Sequence, residues 1–196
     1  MKAIDKRKRI DYRTIHRVEE TVFCASELNK TIHHMMRNGE IDPYSYEICQ
    51  SVESLATCQV FLMAIFSIRF SEISQINPTD VKFMRTIKVL QPKTGKMRVI
   101  IHPEVPQNFQ YTFNSMAVNF ELISYDGVKA AINRAIPEDL KKKLSGSHSS
   151  THIFRHLRAS WLNARGISKD LIREYFDHES EETTSKYIHQ GLFPFI

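Results

Sequence analysis

Cysteine is scarce in this chain, and its arrangement argues against a disulfide framework. The 196 residues include three cysteines, Cys24, Cys49 and Cys58, and no Cys-x-x-Cys motif. An odd number of separated cysteines is typical of reduced thiols in an intracellular protein. The nine histidines show no spacing that suits a metal ion. We therefore expect neither disulfides nor a metal or other cofactor.

Long apolar runs and targeting segments are also missing. The longest nearly apolar run, residues 58–68, is too short to span a bilayer, and the N-terminus is charged rather than apolar. No repeat or low-complexity block is present. With 42% hydrophobic residues and 12 phenylalanines, the chain has enough apolar material for one packed domain. These features predict a cytoplasmic protein with no membrane partner.

Positive charge is concentrated at the N-terminus. The net charge of the chain is +5, and residues 1–17 alone contain seven Lys or Arg against two Asp, which is also +5. The remaining residues balance, with 20 basic and 20 acidic side chains. We expect residues 1–20 to form a basic arm that contacts a polyanion, led by Lys6, Arg7, Lys8 and Arg9. On charge alone, a solvated tail that only aids solubility explains the pattern equally well.

Hydrophobic periodicity predicts an α+β fold that is mainly helical. Four helices are expected before residue 145, at residues 14–38, from Asp42-Pro43 to about Ser67, at Val128–Ile136 and from Pro137 to Lys143. Three short β-rich runs separated by turns lie between these helices, which predicts a small three-stranded antiparallel sheet. The predicted strands are Val81–Phe83, Thr86–Leu90 and Met97–Ile101.

Residues 151–189 hold the most distinctive polar pattern. His152 and Arg155 are three apart, so a helix places them on one face. A phosphate at the start of that helix would meet unpaired backbone N–H groups, a guanidinium and an imidazole. The expected caps of this helix are Ser149, Ser150 and Thr151 at its start and Gly166 at its end. Two further helices follow, one from Ser168 to about Tyr175 and a short one that carries Tyr187.

This stretch resembles the C-terminal box of the tyrosine recombinases, a family of phage integrases, Xer and Cre recombinases and fimbrial invertases. In that family a His-x-x-Arg pair precedes a Leu-Gly-His-like triplet and a Thr-x-x-Tyr-x-His ending that holds the nucleophilic tyrosine. The matching segments are His152-Ile-Phe-Arg155, Phe176-Asp177-His178 and Thr184-Ser-Lys-Tyr187-Ile-His189. Arg155 and His178 are 23 residues apart, and His178 and Tyr187 are 9 apart, which is similar to the family.

Two earlier segments extend the resemblance. The family places its first catalytic arginine in an Arg-x-Ser-Glu motif, which this chain has as Arg69-Phe-Ser-Glu72. The resemblance implies that Arg69 is catalytic and that Glu72 supports it, whereas by itself such a pair is usually a surface ion pair. The family also carries a catalytic lysine at a hairpin tip. We match Lys93 to it, with Lys96 as the fallback, although lysines are common in exposed turns.

The resemblance implies site-specific DNA recombination. In the implied mechanism two arginines brace the non-bridging phosphate oxygens, and two histidines donate hydrogen bonds or move protons. A tyrosine attacks phosphorus to give a 3′-phosphotyrosine, and a lysine protonates the departing 5′ oxygen. The matched arginines are Arg69 and Arg155, and the matched histidines are His152 and His178. Tyr187 matches the nucleophile, and Lys93 matches the lysine that protonates the 5′ oxygen.

The resemblance also implies partners and a location. The expected partner is double-stranded DNA with inverted-repeat recombination sites, bound by a homodimer or homotetramer in the cytoplasm, in association with the nucleoid. We expect further DNA contacts from Lys96, Lys129 and Arg134. The apolar tail, residues 190–196, either passes to a neighbouring protomer, as is frequent in the family, or packs on its own domain.

The chain departs from the family pattern in sequence and in length. Asp177 replaces the usual glycine before the second histidine, and we expect its carboxylate to raise the pKa of His178 or to repel DNA. Ser67-Ile68 replaces Gly-Leu before the first arginine. The resemblance covers about residues 42–189, so we expect one catalytic domain over residues 21–196 and no separate core-binding domain in this chain. Such a chain is either a compact recombinase, similar in size to the fimbrial invertases, or part of a longer protein.

Two other functions stay open. A type IB topoisomerase uses a similar set of Arg, Lys, Arg, His and Tyr to relax DNA, and a non-catalytic DNA-binding regulator can share the fold. His152 and the Thr-x-x-Tyr-x-His ending favour the recombinase over the topoisomerase. The complete set of matched residues argues against the regulator.

Overall fold

The computed structural model describes residues 28–52, 56–75, 86–91, 95–101, 124–144 and 150–194. Within these ranges the chain is mainly helical with one small antiparallel sheet, which confirms the α+β prediction at that level. The helices are α1 (28–37), α2 (Pro43–Ser51), α3 (Thr57–Phe66), α4 (Tyr125–Ala135), α5 (Glu138–Lys143), α6 (Ile153–Ala164), α7 (Lys169–Phe176) and α8 (Glu181–Tyr187). The strands are β1 (Thr86–Leu90) and β2 (Met97–Ile101), and 3₁₀ helices cover Phe70–Gln75 and Ser150–His152.

The two strands form an antiparallel hairpin with the bounds that the sequence predicted. Side chains alternate between the core and solvent, as a half-buried strand requires. The buried positions are Ile87, Val89, Arg98 and Ile100, and the exposed ones are Lys88, Leu90, Met97 and Val99. The predicted third strand, Val81–Phe83, lies outside the described residues.

The hairpin is attached to the 3₁₀ helix Phe70–Gln75 through the last residue of that helix. The Gln75 side-chain amide donates to the Leu90 carbonyl at 3.1 Å, and its oxygen accepts the Leu90 N–H at 2.6 Å. These two bonds satisfy both backbone groups at the end of β1 in the way that a neighbouring strand would. The hairpin is thereby fixed beside the segment that follows α3.

The predicted helix over residues 43–67 is wrong in one respect, because the structure has two helices there. α2 begins as predicted, with Asp42 as the N-cap that accepts the Ser45 N–H at 2.8 Å. It ends because Val52 adopts an extended backbone, and the Thr57 hydroxyl donates to the Val52 carbonyl at 3.0 Å. Apolar side chains of α2 and α3 face the same core. Their spacing in the sequence is therefore close to that of one continuous helix, which is why a single helix was predicted.

The start of α6 also differs from the prediction. The N-cap residue is His152, which makes no side-chain capping bond and ends a 3₁₀ turn, so the expected Ser or Thr cap is wrong. Thr151 is buried and shares a hydrogen bond of 3.2 Å with the Tyr125 hydroxyl instead. The end of α6 is as predicted, since Gly166 follows it with a φ of +80°.

The helix boundaries at Gly39 and Ser168 agree with the sequence prediction, whereas the start of α4 differs. Gly39 ends α1 at a φ of +67°, and Ser168 caps α7 by accepting the Leu171 N–H at 3.3 Å. α4 begins three residues before the predicted start, at Tyr125, because Ser124 caps it by accepting the Gly127 N–H. Hydroxyl N-caps of this kind satisfy N–H groups that the first helical turn leaves unpaired.

α6 connects the main core to the C-terminal helices. Its first half contributes Ile153, Phe154 and Leu157 to the core shared with α2 and α3. Its second half packs with α7 in a smaller apolar cluster against which Tyr187 lies. None of the helices in the described ranges has the length and apolar character that crossing a membrane requires.

The apolar tail packs on its own domain as far as it is described. Leu192 is buried, and the Phe193 ring lies 5.7 Å from Tyr44 and 5.1 Å from Trp161. Residues 195–196 are outside the described residues. These contacts fix the chain beyond α8, the helix that ends with Tyr187.

Candidate active site

Glu72 joins two arginines from different parts of the chain. Its Oε1 accepts a hydrogen bond from Arg69 Nη1 at 2.9 Å. Its Oε2 accepts the Arg69 backbone N–H at 2.8 Å and Arg98 Nη2 at 2.8 Å. The side chains of Glu72 and Arg98 are 0% and 1% exposed, whereas that of Arg69 is 29% exposed. Arg69 is therefore the member of this group that is open to a ligand.

A third arginine, Arg155, lies in the first turn of α6 and is completely buried. Its Nη1 donates to the Ser67 carbonyl at 3.1 Å, and its guanidinium carbon lies 4.6 Å from the centre of the Phe176 ring. Burial, followed by the charges of Arg98 and Arg69, lowers the pKa of Arg155. A bound anion would offset all three effects, so this position favours an anion.

His178 contacts Arg155 with one ring nitrogen and α8 with the other. Arg155 Nη2 lies 3.4 Å from His178 Nε2, and His178 Nδ1 lies 3.1 Å from Thr184 Oγ1. Because a guanidinium only donates, Nε2 is the acceptor and Nδ1 carries the proton. The Thr184 hydroxyl in turn donates to the Ser180 carbonyl at 3.4 Å. Burial, followed by the charge of Arg155, lowers the pKa of His178 to about 4, so the free imidazole is neutral at pH 7.

This result corrects the expected effect of Asp177, whose carboxylate was predicted to raise the pKa of His178. The carboxylate accepts a hydrogen bond from the Gln91 side-chain amide instead. Burial and three guanidinium groups act on His178 in the opposite direction. The backbone of Asp177 is left-handed, with φ 50° and ψ 53°, and this turn places His178 directly after α7.

The Tyr187 phenol lies against this cluster. Its hydroxyl is 3.4 Å from His152 Nδ1, and its ring stacks on His178 at 4.8 Å between centroids and on His156 at 4.4 Å. The guanidinium carbon of Arg155 is 5.7 Å from the centre of the same ring. The tyrosine is thus held between two imidazoles, beside the buried cation.

Ser160 fixes the backbone on both sides of the tyrosine. Its hydroxyl donates to the Tyr187 carbonyl at 3.3 Å and accepts the His189 N–H at 2.9 Å. His189 also hydrogen-bonds His156, with 3.0 Å between its Nε2 and Nδ1 of His156. α6 therefore positions Tyr187 through its main chain as well as through ring contacts.

The buried charges favour an ionised carboxylate at the centre of the cluster. Burial alone would raise the pKa of Glu72, but Arg98, the Arg69 N–H bond, Arg155 and Arg69 lower it overall. The three guanidinium groups and one carboxylate carry +3 and −1, a net charge of +2. A partly open site with this excess is suited to hold a phosphate group.

The family model of the phage integrase family matches residues 44–191. The chain belongs to the phage integrase family. It is 31% identical over 129 residues to a probable integrase/recombinase of Acholeplasma phage L2, and the match covers 62% of this chain and 44% of that protein. The chain thus spans less than half the length of that relative. No solved structure matches the chain.

The structure brings most of the predicted integrase-family residues together. Contacts connect Arg69 to Glu72, Arg155 to His178, His178 to Tyr187 and Tyr187 to His152. Lys93, the matched lysine, lies outside the described residues, as do Lys6, Arg7, Lys8 and Arg9. Lys96 is exposed before β2, and Lys129 and Arg134 are on the exposed side of α4.

Both departures from the family glycines occur at backbone positions that favour glycine. Ser67 has a φ of 51° and Asp177 a φ of 50°, and among the described residues no other non-glycine has a positive φ. The left-handed region is disfavoured for residues with a Cβ. This integrase-family chain therefore keeps the backbone geometry that a glycine supports without keeping the glycine.

Arg98 is the main site residue that the sequence prediction missed. Its signal was present, because alternation in the predicted strand Met97–Ile101 places Arg98 on the same side as Ile100, which faces the core. An arginine at an inward strand position needs a buried carboxylate, and Glu72 provides it. Thr184 was part of the matched Thr-x-x-Tyr-x-His segment, but its bond to His178 was not predicted. Ser160 carried no distinct signal, because its bonds depend on the packing of α8.

Proposed function

We propose that this chain is the catalytic part of a site-specific DNA recombinase that cleaves and rejoins DNA through a 3′-phosphotyrosine intermediate. The observation that carries the proposal is the position of Tyr187, whose ring stacks on His178 beside the buried guanidinium of Arg155. A phenol on a helix is usually a packing residue, but this one lies among cations and imidazoles rather than apolar side chains alone. Membership of the phage integrase family supports the same assignment.

In the proposed reaction the cations hold the scissile phosphate. Arg69, which is partly exposed, donates to the non-bridging oxygens, and so does Arg155 when it turns from the Ser67 carbonyl and His178. The phosphate charge raises the pKa of His178, which then donates a proton in a hydrogen bond to the same group. Donors placed in this way stabilise the additional negative charge of the transition state.

The chemical step exchanges one phosphodiester for another. Tyr187 Oη forms a bond to phosphorus, its proton passes to His152 Nδ1, and the bond from phosphorus to the 5′ oxygen breaks. Lys93 supplies the proton that the departing 5′ oxygen takes up. Because the ester is conserved in the phosphotyrosine, the 5′-hydroxyl of a new strand can reverse the step without an external energy source.

The proposed partner is double-stranded DNA with inverted-repeat sites, bound by a homodimer or homotetramer. Residues 1–20 serve as the basic arm, residues 21–196 as the catalytic domain, and Lys96, Lys129 and Arg134 contact DNA phosphates. In the single chain, Leu192 and Phe193 pack against the domain to which they belong. Exchange of residues 190–196 between protomers would replace these contacts with the same ones made by a neighbouring copy.

Covalent trapping tests the proposal. The probe is a pool of randomised duplexes with a 5′-bridging phosphorothiolate, from which cleavage releases a thiol that does not religate. We expect wild-type protein to form a denaturation-resistant adduct whose DNA is attached to Tyr187 by mass spectrometry. Tyr187→Phe should form none, while the control Tyr175→Phe, which alters a half-buried tyrosine of α7, should form normal amounts.

The possible results separate the three functions. If wild-type protein binds the duplexes without any covalent adduct, the chain is a DNA-binding regulator and the proposal is wrong. Adduct formation with rapid relaxation of any supercoiled plasmid would identify a topoisomerase. Adducts confined to a few enriched sequences, with junction products, are the outcome expected for a recombinase.

A further inference from the structure

The guanidinium of Arg98 is in an unusual environment for a charged group. The side chain is 1% exposed and lies on the core-facing side of β2. Its Nη2 donates to Glu72, but its Nε and Nη1 are buried and have no hydrogen-bond partner among the described residues. Its strand neighbour on the same side, Ile100, belongs to the apolar core. A buried cation with two donor atoms that find no partner in the described part of the chain costs stability that an apolar side chain would not.

The charge count of the cluster suggests what Arg98 contributes. Glu72 holds Arg69 by two hydrogen bonds, one to its backbone and one to its guanidinium. If Glu72 and Arg69 were alone, the carboxylate would cancel the positive charge of the arginine that it orients. With Arg98 on the same carboxylate, Arg69 and Arg155 together keep a net charge of +2 for the ligand.

We propose that Arg98 is a positioning residue that neutralises Glu72, so that Glu72 orients Arg69 without cancelling its charge toward the scissile phosphate. This inference rests on the proposed function, in which the phosphate gains negative charge in the transition state. Arg98 acts through Glu72 and does not touch the substrate.

A charge-balanced pair of substitutions distinguishes this role from a purely structural one. Arg98→Met removes the charge with little change in volume, and Glu72→Gln then removes the carboxylate that Arg98 offset. A structural role predicts that the double variant is no better than Arg98→Met. Neutralisation predicts that it recovers, because Arg69 and Arg155 again supply +2.

The first measurement is the rate of covalent adduct formation from prebound phosphorothiolate duplex. We expect Arg98→Met to react about 10- to 100-fold more slowly than wild type, which is less than the roughly 100- to 1000-fold loss for a donor that contacts the transition state, because Arg98 acts through Glu72. The double variant should regain about tenfold, and Arg98→Lys, which keeps the charge, should stay within a few-fold of wild type. Lys88→Met, which removes an exposed charge from the same hairpin, is the control.

The second measurement is an NMR titration of His178 in the free protein, which needs no catalysis. Arg98 is one of the charges that lower the pKa of His178, so Arg98→Met should raise this pKa and the double variant should lower it again. Lys88→Met should leave it unchanged. If Arg98→Met does not fold, Arg98→Lys and Glu72→Gln give the same comparison, because the former should keep the His178 pKa and the latter should lower it.

The results separate failure of the inference from failure of the proposed function. If wild-type protein forms no adduct but the variants change the His178 pKa as expected, the recombinase proposal is wrong, whereas the neutralisation of Glu72 by Arg98 is supported. An active wild type whose Arg98→Met variant reacts at the same rate would overturn the inference alone. A double variant no faster than Arg98→Met, with an unrecovered His178 pKa, would show that Arg98 has only a structural role.

Discussion

The Asp177 carboxylate accepts a hydrogen bond from the Gln91 side chain, which links the turn before His178 to the residue that follows β1. The two residues are far apart in sequence, and each lies near a predicted catalytic residue: Asp177 directly precedes His178, and Gln91 is two residues before Lys93. The bond therefore holds the hairpin and the α7–α8 turn in one arrangement. Asp177 does this from a left-handed backbone position that a glycine would occupy at lower cost.

Replacement of Asp177 by glycine removes both the hydrogen bond to Gln91 and the backbone strain, and the two losses should affect different measurements. Relief of the left-handed conformation offsets the lost hydrogen bond, so we expect the free energy of unfolding to change by less than about 1 kcal/mol. Cleavage of an ordinary phosphodiester should slow about tenfold, which corresponds to one such bond, about 1.4 kcal/mol. Asp177→Asn keeps an acceptor for Gln91 and should remain close to wild type. If Asp177→Gly cleaved as fast as Asp177→Asn and wild type, the bond to Gln91 would have no part in catalysis.

Replacement of Ser67 by glycine should stabilise the protein. Ser67 is buried at a φ of 51°, and its hydroxyl has no hydrogen-bond partner among the described residues. Glycine removes both costs, and we expect a gain of about 1 kcal/mol in the free energy of unfolding, measured by urea denaturation. Ser67→Ala removes the hydroxyl but keeps the Cβ, so its gain should be smaller. If alanine stabilised as much as glycine, the backbone strain would be negligible.

Protonation of His178 should make stability depend on pH in a defined window. The folded pKa is about 4 and the unfolded pKa is about 6.5, so the unfolded chain binds more protons between these values. The contribution of neutral His178 to the free energy of unfolding is therefore complete above about pH 6.5 and is lost as the pH falls toward 4. Between pH 7 and pH 5 the contribution should fall by about 2 kcal/mol, as measured by urea denaturation.

His178→Gln is the control for this pH effect, since glutamine retains hydrogen-bonding groups but does not titrate. The difference in the free energy of unfolding between pH 7 and pH 5 should be smaller in the variant than in wild type. Identical pH profiles would mean that another group is responsible.

Removal of the Thr184 hydroxyl should disturb His178 without contacting any ligand. Thr184 is fully buried and accepts the proton of His178 Nδ1. Thr184→Val leaves that N–H without its acceptor, which should cost about 1–3 kcal/mol in the free energy of unfolding and should broaden or shift the His178 NMR signals. Thr184→Ser keeps the hydroxyl and should restore the signals. Thr183→Val alters the adjacent half-buried threonine, and it should leave His178 unaffected.

Local patterns were sufficient where a short-range rule determines the structure. The bounds of β1 and β2 were predicted because alternating side chains lie between clear turns, and Ser168 was recognised because capping depends on residues within one turn. The convergence of Arg69, Arg155 and Tyr187 was expected from a family resemblance, since no local rule relates residues so far apart in sequence. In the structure Arg155 of α6 links the other two, because it donates to the Ser67 carbonyl near Arg69 and lies beside the Tyr187 ring.

Other features depend on packing that a sequence does not display. The break at Val52 was missed because α2 and α3 both turn apolar faces to one core, which preserved the helical period across the break. The charge on Asp177 was misjudged because its effect on His178 depends on where the carboxylate points, and it points to Gln91. Burial of Arg98 was missed because arginine is rarely an inward residue.

The mutual repulsion of Arg69, Arg98 and Arg155 has a consequence for how this protein responds to selection. Without an anion, three cations around one carboxylate weaken the folded state, and in the proposed function a DNA phosphate would relieve that weakness. A random library selected only for heat resistance should therefore yield neutral replacements at these arginines, and the most heat-resistant clones should be the ones that lack the proposed cleavage activity.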